Sequence, residues 1–309
     1  MVLPNRLARL SSSRVGVVVV YHRVGGTEPG DPHRELLPTL PADELDEQLR
    51  HLQRNYRVVP ATEILEATRS RRRGQPFPVA VTFDDDLESH VRVALPLLRE
   101  HELTATFFLT GSSLHGPHAY WREDLQRAIG QRLVTPDGLP NVAAADLEAA
   151  LEQTPKAIFR VAAAVEQLDP AQRCEVALAL REKVGPSEEN GLREDDVRAI
   201  VSAGCDVGFH TLRHDPLPSL DDDELRAALR EGRETLAAAG ANNVDLIAYP
   251  HGRADERVAA AARDAGFALG FTTRREPVRP DTDPLLVPRM VPPLSAVTFA
   301  QRLARVLRT

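Results

Sequence analysis

Short apolar runs alternate with helical patterns along most of the chain. Leu45, Leu49 and Leu52 recur at the three- and four-residue spacing of an amphipathic helix, whereas the run of valines at 15–20 is typical of a buried strand. Repeated alternation of strands and helices predicts a parallel sheet. The predicted strands are 15–21, 57–59, 78–83, 103–109, 206–209, 245–248, 267–272 and 285–287. Seven or eight such units favour a closed β/α barrel, with its chemistry at the carboxyl ends of the strands.

One segment interrupts this alternation. Residues 114–190 are rich in Ala, Glu, Gln and Leu and show no strong strand pattern, and helices at 124–129, 142–153 and 170–184 fit them. We therefore predict a barrel formed by residues 1–113 and 191–309. A helical insertion, residues 114–190, is expected to lie over the barrel mouth. Helices are also predicted at 41–55, 61–69, 87–100, 192–203, 221–239, 254–265 and 295–307.

Composition narrows the class of protein. The 309 residues are 42% hydrophobic and 27% charged, which is typical of a globular chain. A net charge of −7 disfavours a nucleic-acid-binding protein. No run approaches the roughly 20 apolar residues of a membrane span, and no secretory signal is visible, so a cytoplasmic location is expected. A peripheral or extracellular location is the alternative.

Three consecutive carboxylates follow the predicted strand 78–83. Asp84, Asp85 and Asp86 would repel one another unless a cation or a basic group offsets their charge. The alternative is a helix N-terminus with acidic residues in its first turn, and one aspartate is enough for that role.

Two histidines follow the strand 206–209 in the same way. His210 and His214 are four residues apart, and the parallel sheet places them at the same rim as the aspartates. Two imidazoles and one carboxylate suit Zn²⁺ or another divalent ion, and a second carboxylate beside them would accept a proton from an attacking water. Two surface histidines are the alternative.

A third candidate is the turn after the strand 245–248. Pro250 and Gly252 flank His251 in a tight turn, where a backbone N–H facing the site would stabilise an oxyanion. An ordinary strand-to-helix turn is the alternative.

Together these motifs resemble those of the polysaccharide deacetylases, the NodB-homology or carbohydrate esterase family 4 group. Residues 82–86 resemble its Thr-Phe-Asp-Asp-Gly motif, 210–214 its His-(Ser/Thr)-x-x-His motif and 249–252 its Pro-Tyr-Gly turn. Residues 20–24, Val-Tyr-His-Arg-Val, resemble the Tyr-His motif of the exopolysaccharide-type branch. The resemblance covers roughly 15–113 and 191–291.

The resemblance implies a distorted (β/α)₇ barrel that removes acetyl groups from N-acetylated sugars or glycoconjugates with a divalent metal. Zn²⁺ is the expected ion, with Co²⁺, Ni²⁺, Fe²⁺ or Mn²⁺ as alternatives. The implied metal ligands are Asp85, His210 and His214. The other implied roles are Asp84 as general base, His22 as general acid, the His251 amide as oxyanion donor, and Arg289 as the charge that keeps Asp84 ionised.

Some positions depart from the family pattern or lie outside its motifs. Asp86 replaces the usual Gly, and we expect it to tolerate the left-handed backbone of that turn. His251 replaces the usual Tyr. Tyr249 and Trp121, the latter in the segment 115–121, are candidate sugar contacts, although packing is the alternative for Trp121. His90 is expected at the surface.

The sequence leaves other functions open. An O-acetyl esterase and an amidase acting on a small non-sugar amide would use the same metal. A non-catalytic carbohydrate-binding relative and a regulatory protein acting through the insertion are further alternatives.

Overall fold

In the computed structural model, residues 11–27, 29–115, 120–185 and 191–308 are described. One parallel sheet runs through the molecule in the order β7-β6-β5-β4-β3-β1-β8, and β2 pairs with β3. Its strands are β1 (Val17–Tyr21), β2 (Arg57–Val58), β3 (Pro78–Asp84), β4 (Thr106–Leu109), β5 (Asp206–Phe209), β6 (Leu246–Ala248), β7 (Leu269–Phe271) and β8 (Arg289–Met290).

The sheet nearly closes into a barrel. A parallel bridge between Phe271 and Val287 brings β7 next to the chain that enters β8. This arrangement confirms the predicted distorted (β/α)₇ barrel. The last strand lies at 289–290 rather than at 285–287, and Val287 contributes only the bridge.

Strand residues alternate between two apolar layers. Val17, Val19 and Tyr21 pack with the helices outside the sheet, whereas Val18 belongs to the interior of the barrel. Because both faces are covered, β1 and β3 are buried along their whole length, which explains their continuous apolar runs. In β3, Ala80 lies in the interior layer, and the period of two directs Thr82 and Asp84 to the same side.

The helices cover the outside of the sheet and one side of its mouth. They are α1 (Ala42–Asn55), α2 (Ile64–Ser70), α3 (Leu95–Glu100), α4 (Trp121–Gly130), α5 (Ala144–Leu151), α6 (Ala157–Glu166), α7 (Pro170–Val184), α8 (Glu194–Ser202), α9 (Asp222–Ala228), α10 (Arg233–Ala238), α11 (Glu256–Asp264) and α12 (Ala296–Val306). None of the helices in the described ranges is long and apolar enough to cross a membrane.

Two predicted helices differ in the structure. The predicted helix 221–239 is split into α9 and α10, because Gly232 adopts a left-handed φ of 81° that a continuous helix does not allow. The predicted helix 87–100 begins instead with a π-helical turn, His90–Ala94, which leads into α3.

Helices α4 to α7 surround a second apolar core. Leu125, Leu147, Val161 and Leu180 are buried there, together with Leu36 from the loop after β1. Helix α6 was not among the predicted helices, whereas α7 has the predicted bounds. The division of the chain at residues 114 and 190 stays a prediction.

Candidate active site

Asp84 ends β3 inside the barrel, where it meets a buried arginine. The Arg289 guanidinium donates two hydrogen bonds to the Asp84 carboxylate, at 2.7 and 2.6 Å. Burial raises the pKa of Asp84, but the charge and hydrogen bonds of Arg289 outweigh burial, so the pKa is held at about 2. Asp84 is therefore an anion at neutral pH. Its role as general base stays a prediction.

The structure holds Arg289 itself rigidly. Its side chain is 1% exposed, and it also donates to the Thr272 carbonyl and to the Thr82 hydroxyl, both at 3.3 Å. A buried guanidinium needs such partners because an unpaired charge in the interior is costly. Its bidentate fork fixes the plane of the Asp84 carboxylate.

Asp85 faces the two histidines of the predicted metal set. Its Oδ1 lies 3.7 Å from Nε2 of His210 and 3.6 Å from Nε2 of His214. One ligand atom from each of the three residues lies within 4.8 Å of the others. Both carboxylate oxygens of Asp85 are buried without a hydrogen-bond partner among the described residues, and burial raises the pKa of this carboxyl.

The surroundings of the histidines suit metal binding. Nδ1 of His210 donates to the Ala248 carbonyl at 2.8 Å, so its Nε2 presents a lone pair towards Asp85. Burial and the neighbouring histidines His251 and His210 lower the pKa of His214, which keeps its ring in the neutral, ligating form. Two imidazole nitrogens beside a buried carboxylate without a partner fit a divalent cation.

Backbone strain concentrates at this site. Nine described residues other than glycine have a left-handed φ, and four of them are Asp85 (77°), Thr211 (56°), His214 (52°) and His251 (59°). Such conformations cost about 1–3 kcal/mol each and persist where the surrounding structure imposes them. Their clustering is typical of a functional site.

His22 follows β1, the strand that pairs with β3 on the side away from β4. Its Nε2 is 4.0 Å from Oδ2 of Asp84, and about a third of its side chain (34%) is exposed. His22 is thus placed where a general acid would reach both a substrate and the Asp84 region, although its role stays a prediction.

The expectation for His90 was wrong. Its ring is completely buried against Phe83 and Phe107, with ring centroids 5.4 and 5.6 Å away, and Nε2–H donates to the His22 carbonyl at 3.2 Å. The π-helical turn, which the sequence pattern did not indicate, turns this side chain inward. Burial lowers the pKa of His90 to about 4, so the ring is neutral.

His251 lies in the predicted tight turn and contacts the helices of the second core. Its ring centroid is 4.6 Å from that of His214, and its Nδ1 is 3.5 Å from the Glu166 carboxylate. Glu166 also pairs with Arg122 and, at 3.0 Å, with Arg253. Burial and these two arginines lower the pKa of His251, so its imidazole is neutral. The role of its amide stays a prediction.

Asp86 faces away from the histidines. Its carboxylate accepts hydrogen bonds from the Thr110 amide and hydroxyl, both at 2.8 Å, and from the Ser113 amide and hydroxyl at 3.2 and 3.1 Å. Asp86 therefore anchors the loop after β4. The left-handed backbone expected at Asp86 occurs instead at Asp85.

Neither aromatic candidate contacts the space above the site. Tyr249 is completely buried, its hydroxyl donates to the Leu285 carbonyl at 2.8 Å, and it is absent from the described cavity lining, so its role as a substrate contact stays a prediction. Trp121 packs against the second core and does not line the cavity. Residues 116–119 of the same predicted contact lie outside the described residues.

A cavity of about 950 Å³ opens above these groups. Asp84, His22, His210, His214 and His251 line its floor. Tyr120 and Arg122, which the sequence did not single out, line the side formed by α4, and the Tyr120 hydroxyl lies 3.3 Å from Nε2 of His214. This volume is at the upper end for ligand sites.

Comparison with known proteins agrees with this site. The model of the family described as polysaccharide deacetylase matches residues 71–270. Because this match spans more than half of the 309 residues, the chain belongs to the polysaccharide deacetylase family, a class of carbohydrate deacetylases. No curated protein sequence gives a significant match.

Solved structures share the fold at low sequence identity. The Streptococcus pyogenes deacetylase PplD, in complex with acetate, has a TM-score of 0.61 and 16% identity, over 94% of this chain and 98% of its own. IcaB from Ammonifex degensii has a TM-score of 0.58 and 20% identity, over 94% of this chain and 97% of its own. A de-N-acetylase from Aggregatibacter actinomycetemcomitans has a TM-score of 0.57 and 14% identity, over 94% of this chain and 100% of its own.

Proposed function

We propose that this chain is a metal-dependent carbohydrate N-deacetylase. The observation that carries the proposal is the buried Asp85 carboxylate, which has no hydrogen-bond partner among the described residues and faces Nε2 of His210 and His214. The Asp84–Arg289 pair lies directly beside it. Family membership supplies the reaction class, and an N-acetylated sugar or glycoconjugate is the proposed substrate.

Asp85, His210 and His214 would hold the ion. A divalent metal, of which Zn²⁺ suits this donor set, would act as a Lewis acid towards the acetyl carbonyl and the attacking water. Asp84, held ionised by Arg289, accepts the proton of that water.

The remaining steps use groups on either side of Asp84. The His251 amide donates to the developing oxyanion, and His22 donates a proton to the leaving amine. Proton donation is required for an amine leaving group because an amide anion is too basic to depart. The partial exposure of His22 suits a group that must reload its proton from solvent.

The metal site is tested by elemental mass spectrometry of protein reloaded with Zn²⁺. We expect about one ion per chain in the wild type, loss of the ion in His210→Ala because one of three ligands is removed, and loss of acetate release with it. His51→Ala, on α1 between Tyr56 and Phe299, is the control that keeps the ion. A folded wild type without specific metal would contradict the proposal.

The base is tested separately. Asp84→Asn keeps the shape of the side chain, but its carboxamide accepts no proton at neutral pH. We therefore expect the metal content to persist while acetate release falls by roughly 10²–10⁴-fold. Unchanged turnover in this variant would remove Asp84 from the role.

Amide and ester substrates decide between deacetylase and esterase. We expect His22→Ala to slow release of acetate from an N-acetyl sugar more than from an O-acetyl sugar, since an alkoxide needs less help from an acid. Equal losses on both substrates would contradict the role of His22 as acid.

A further inference from the structure

The cavity above the site is basic although the whole chain is acidic. The sequence has a net charge of −7, yet five cationic side chains line the cavity: Arg23, Arg122, Lys156, Arg275 and Arg302. Among the described residues, Asp84 is the one carboxylate in the lining, and Arg289 already offsets its charge. The described lining of the cavity therefore has an excess of positive charge, in contrast to the net charge of the whole chain.

Three of these cations have no acidic partner in the described parts of the chain. Arg23 pairs with Glu123 at 2.7 Å, and Arg122 pairs with Glu166. Lys156, Arg275 and Arg302, in contrast, form no ion pair with any described carboxylate, and Arg302 donates only to the Val291 carbonyl at 3.3 Å. Burial and the charges of Arg275 and Arg305 lower the pKa of Arg302, as expected for crowded like charges.

These cations come from separate elements. Arg275 follows β7, Arg302 lies on α12, and Lys156 precedes α6 in a left-handed conformation, with its amide bonded to the His33 carbonyl at 2.7 Å. The three side chains converge on one cavity from distant parts of the chain. Lys156 and Arg275 are exposed and Arg302 is half-buried, so all three charges are open to an anion that enters the cavity.

We propose that the substrate is an acetylated sugar bearing a phosphate or diphosphate group, and that Lys156, Arg275 and Arg302 bind that group. This inference rests on the proposed deacetylase function. Several cations match a multiply charged anion, and the guanidinium fork matches phosphate oxygens. The wall that includes Leu36, Val291 and Leu294 leaves an apolar surface beside the anion.

The test compares N-acetylglucosamine 1-phosphate with neutral methyl N-acetylglucosaminide on the zinc-loaded enzyme. We expect kcat/KM for the phosphorylated sugar to exceed that for the neutral one by about tenfold or more, since one charged hydrogen bond has at least that effect. Arg275→Gln combined with Arg302→Gln should reduce this preference by about tenfold. The control, Arg198→Gln on α8, removes one positive charge outside the cavity lining and should leave the preference unchanged.

Ionic strength gives a second measurement that needs no variant. Raising the salt concentration from about 0.05 to about 0.5 M should lower kcat/KM for the phosphorylated sugar more than for the neutral one, because salt screens the charge of the phosphate. Equal kcat/KM for both sugars, equal salt dependence, or a stronger preference for a sugar carboxylate would overturn the proposal.

Two further arms identify the source of the phosphate. A preference for uridine diphosphate N-acetylglucosamine indicates a nucleotide-linked sugar, and a preference for a prenyl diphosphate-linked N-acetylglucosamine indicates a lipid-linked one. If no sugar releases acetate, the deacetylase function fails. Calorimetric titration with N-acetylglucosamine 1-phosphate then decides the binding proposal on its own: heat of binding lost in the double variant supports it, and no binding overturns it.

Discussion

At the scale of single residues, charge neutralisation defines the site. Two adjacent aspartates are both buried, but Asp84 has a bidentate arginine and Asp85 has no hydrogen-bond partner among the described residues. The pKa values of these two neighbouring carboxyls therefore shift in opposite directions. Arg289 lowers the pKa of Asp84, and burial raises that of Asp85. This difference separates the proposed base from the proposed metal ligand.

Replacing Arg289 tests how much its buried ion pair with Asp84 contributes to the stability of the fold. Arg289→Met leaves the Asp84 charge in the interior without its partner, so we expect the free energy of unfolding to fall by about 3–5 kcal/mol, measured by urea denaturation. Arg289→Lys keeps the positive charge but loses the bidentate guanidinium, so we expect a smaller decrease in the free energy of unfolding. A Met variant as stable as the wild type would show that water solvates Asp84.

The sequence predicted the site residues that stand directly after an apolar strand. Asp84, Asp85 and the pair His210 and His214 follow apolar strands directly, so their common rim was predictable. The function of Asp86 was not, because its five hydrogen bonds go to residues 110–113 at the end of another strand.

At the scale of elements, the strands near the site are packed closely enough to require glycine. A Cβ on Gly208, in β5, would lie 2.7 Å from the Phe108 ring and 3.1 Å from the Leu246 carbonyl. The apolar pattern of β5 predicted a strand but not this contact, which depends on which strands are neighbours in the barrel.

Gly208→Ala is therefore expected to lower the free energy of unfolding by about 1–3 kcal/mol, because the Phe108 ring must move within a packed core. Urea denaturation measures the change. Gly130→Ala, at the end of α4 with nothing within 4 Å of the added Cβ, is the matched control and should stay within about 0.5 kcal/mol of the wild type. Equal effects of both substitutions would contradict the packing argument.

Helix boundaries show what local pattern leaves out. The bounds of α7 were predicted, since Asp169 caps the helix and Pro170 begins it. The break at Gly232 was missed, because a glycine within a helical pattern does not reveal its φ. Gly232 adopts the left-handed conformation in the connection between α9 and α10.

At the scale of the whole molecule, a buried ion cluster joins the second core to the catalytic rim. Glu166, at the end of α6, is 4% exposed and contacts Arg122, Arg253 and His251. No local pattern indicated this cluster, because Arg122 and Arg253 are 131 positions apart in the chain.

Glu166→Gln is expected to lower the free energy of unfolding by roughly 3 kcal/mol, since two guanidinium groups then lack their shared carboxylate. Glu194→Gln, which removes an exposed partner of Arg198 on α8, is the control, with an expected change below about 1 kcal/mol. Thermal and urea unfolding measure both variants. An unaffected Glu166→Gln variant would contradict a structural role for the cluster.

The position of Arg289 on the last strand also has a consequence for biosynthesis. Its guanidinium meets a carboxylate 205 positions earlier, and contacts so distant in sequence form late because closing long loops costs entropy. Until β8 joins β1, the Asp84 carboxylate lacks the guanidinium of Arg289. A growing chain therefore cannot complete the Asp84–Arg289 pair until the ribosome has delivered residue 289.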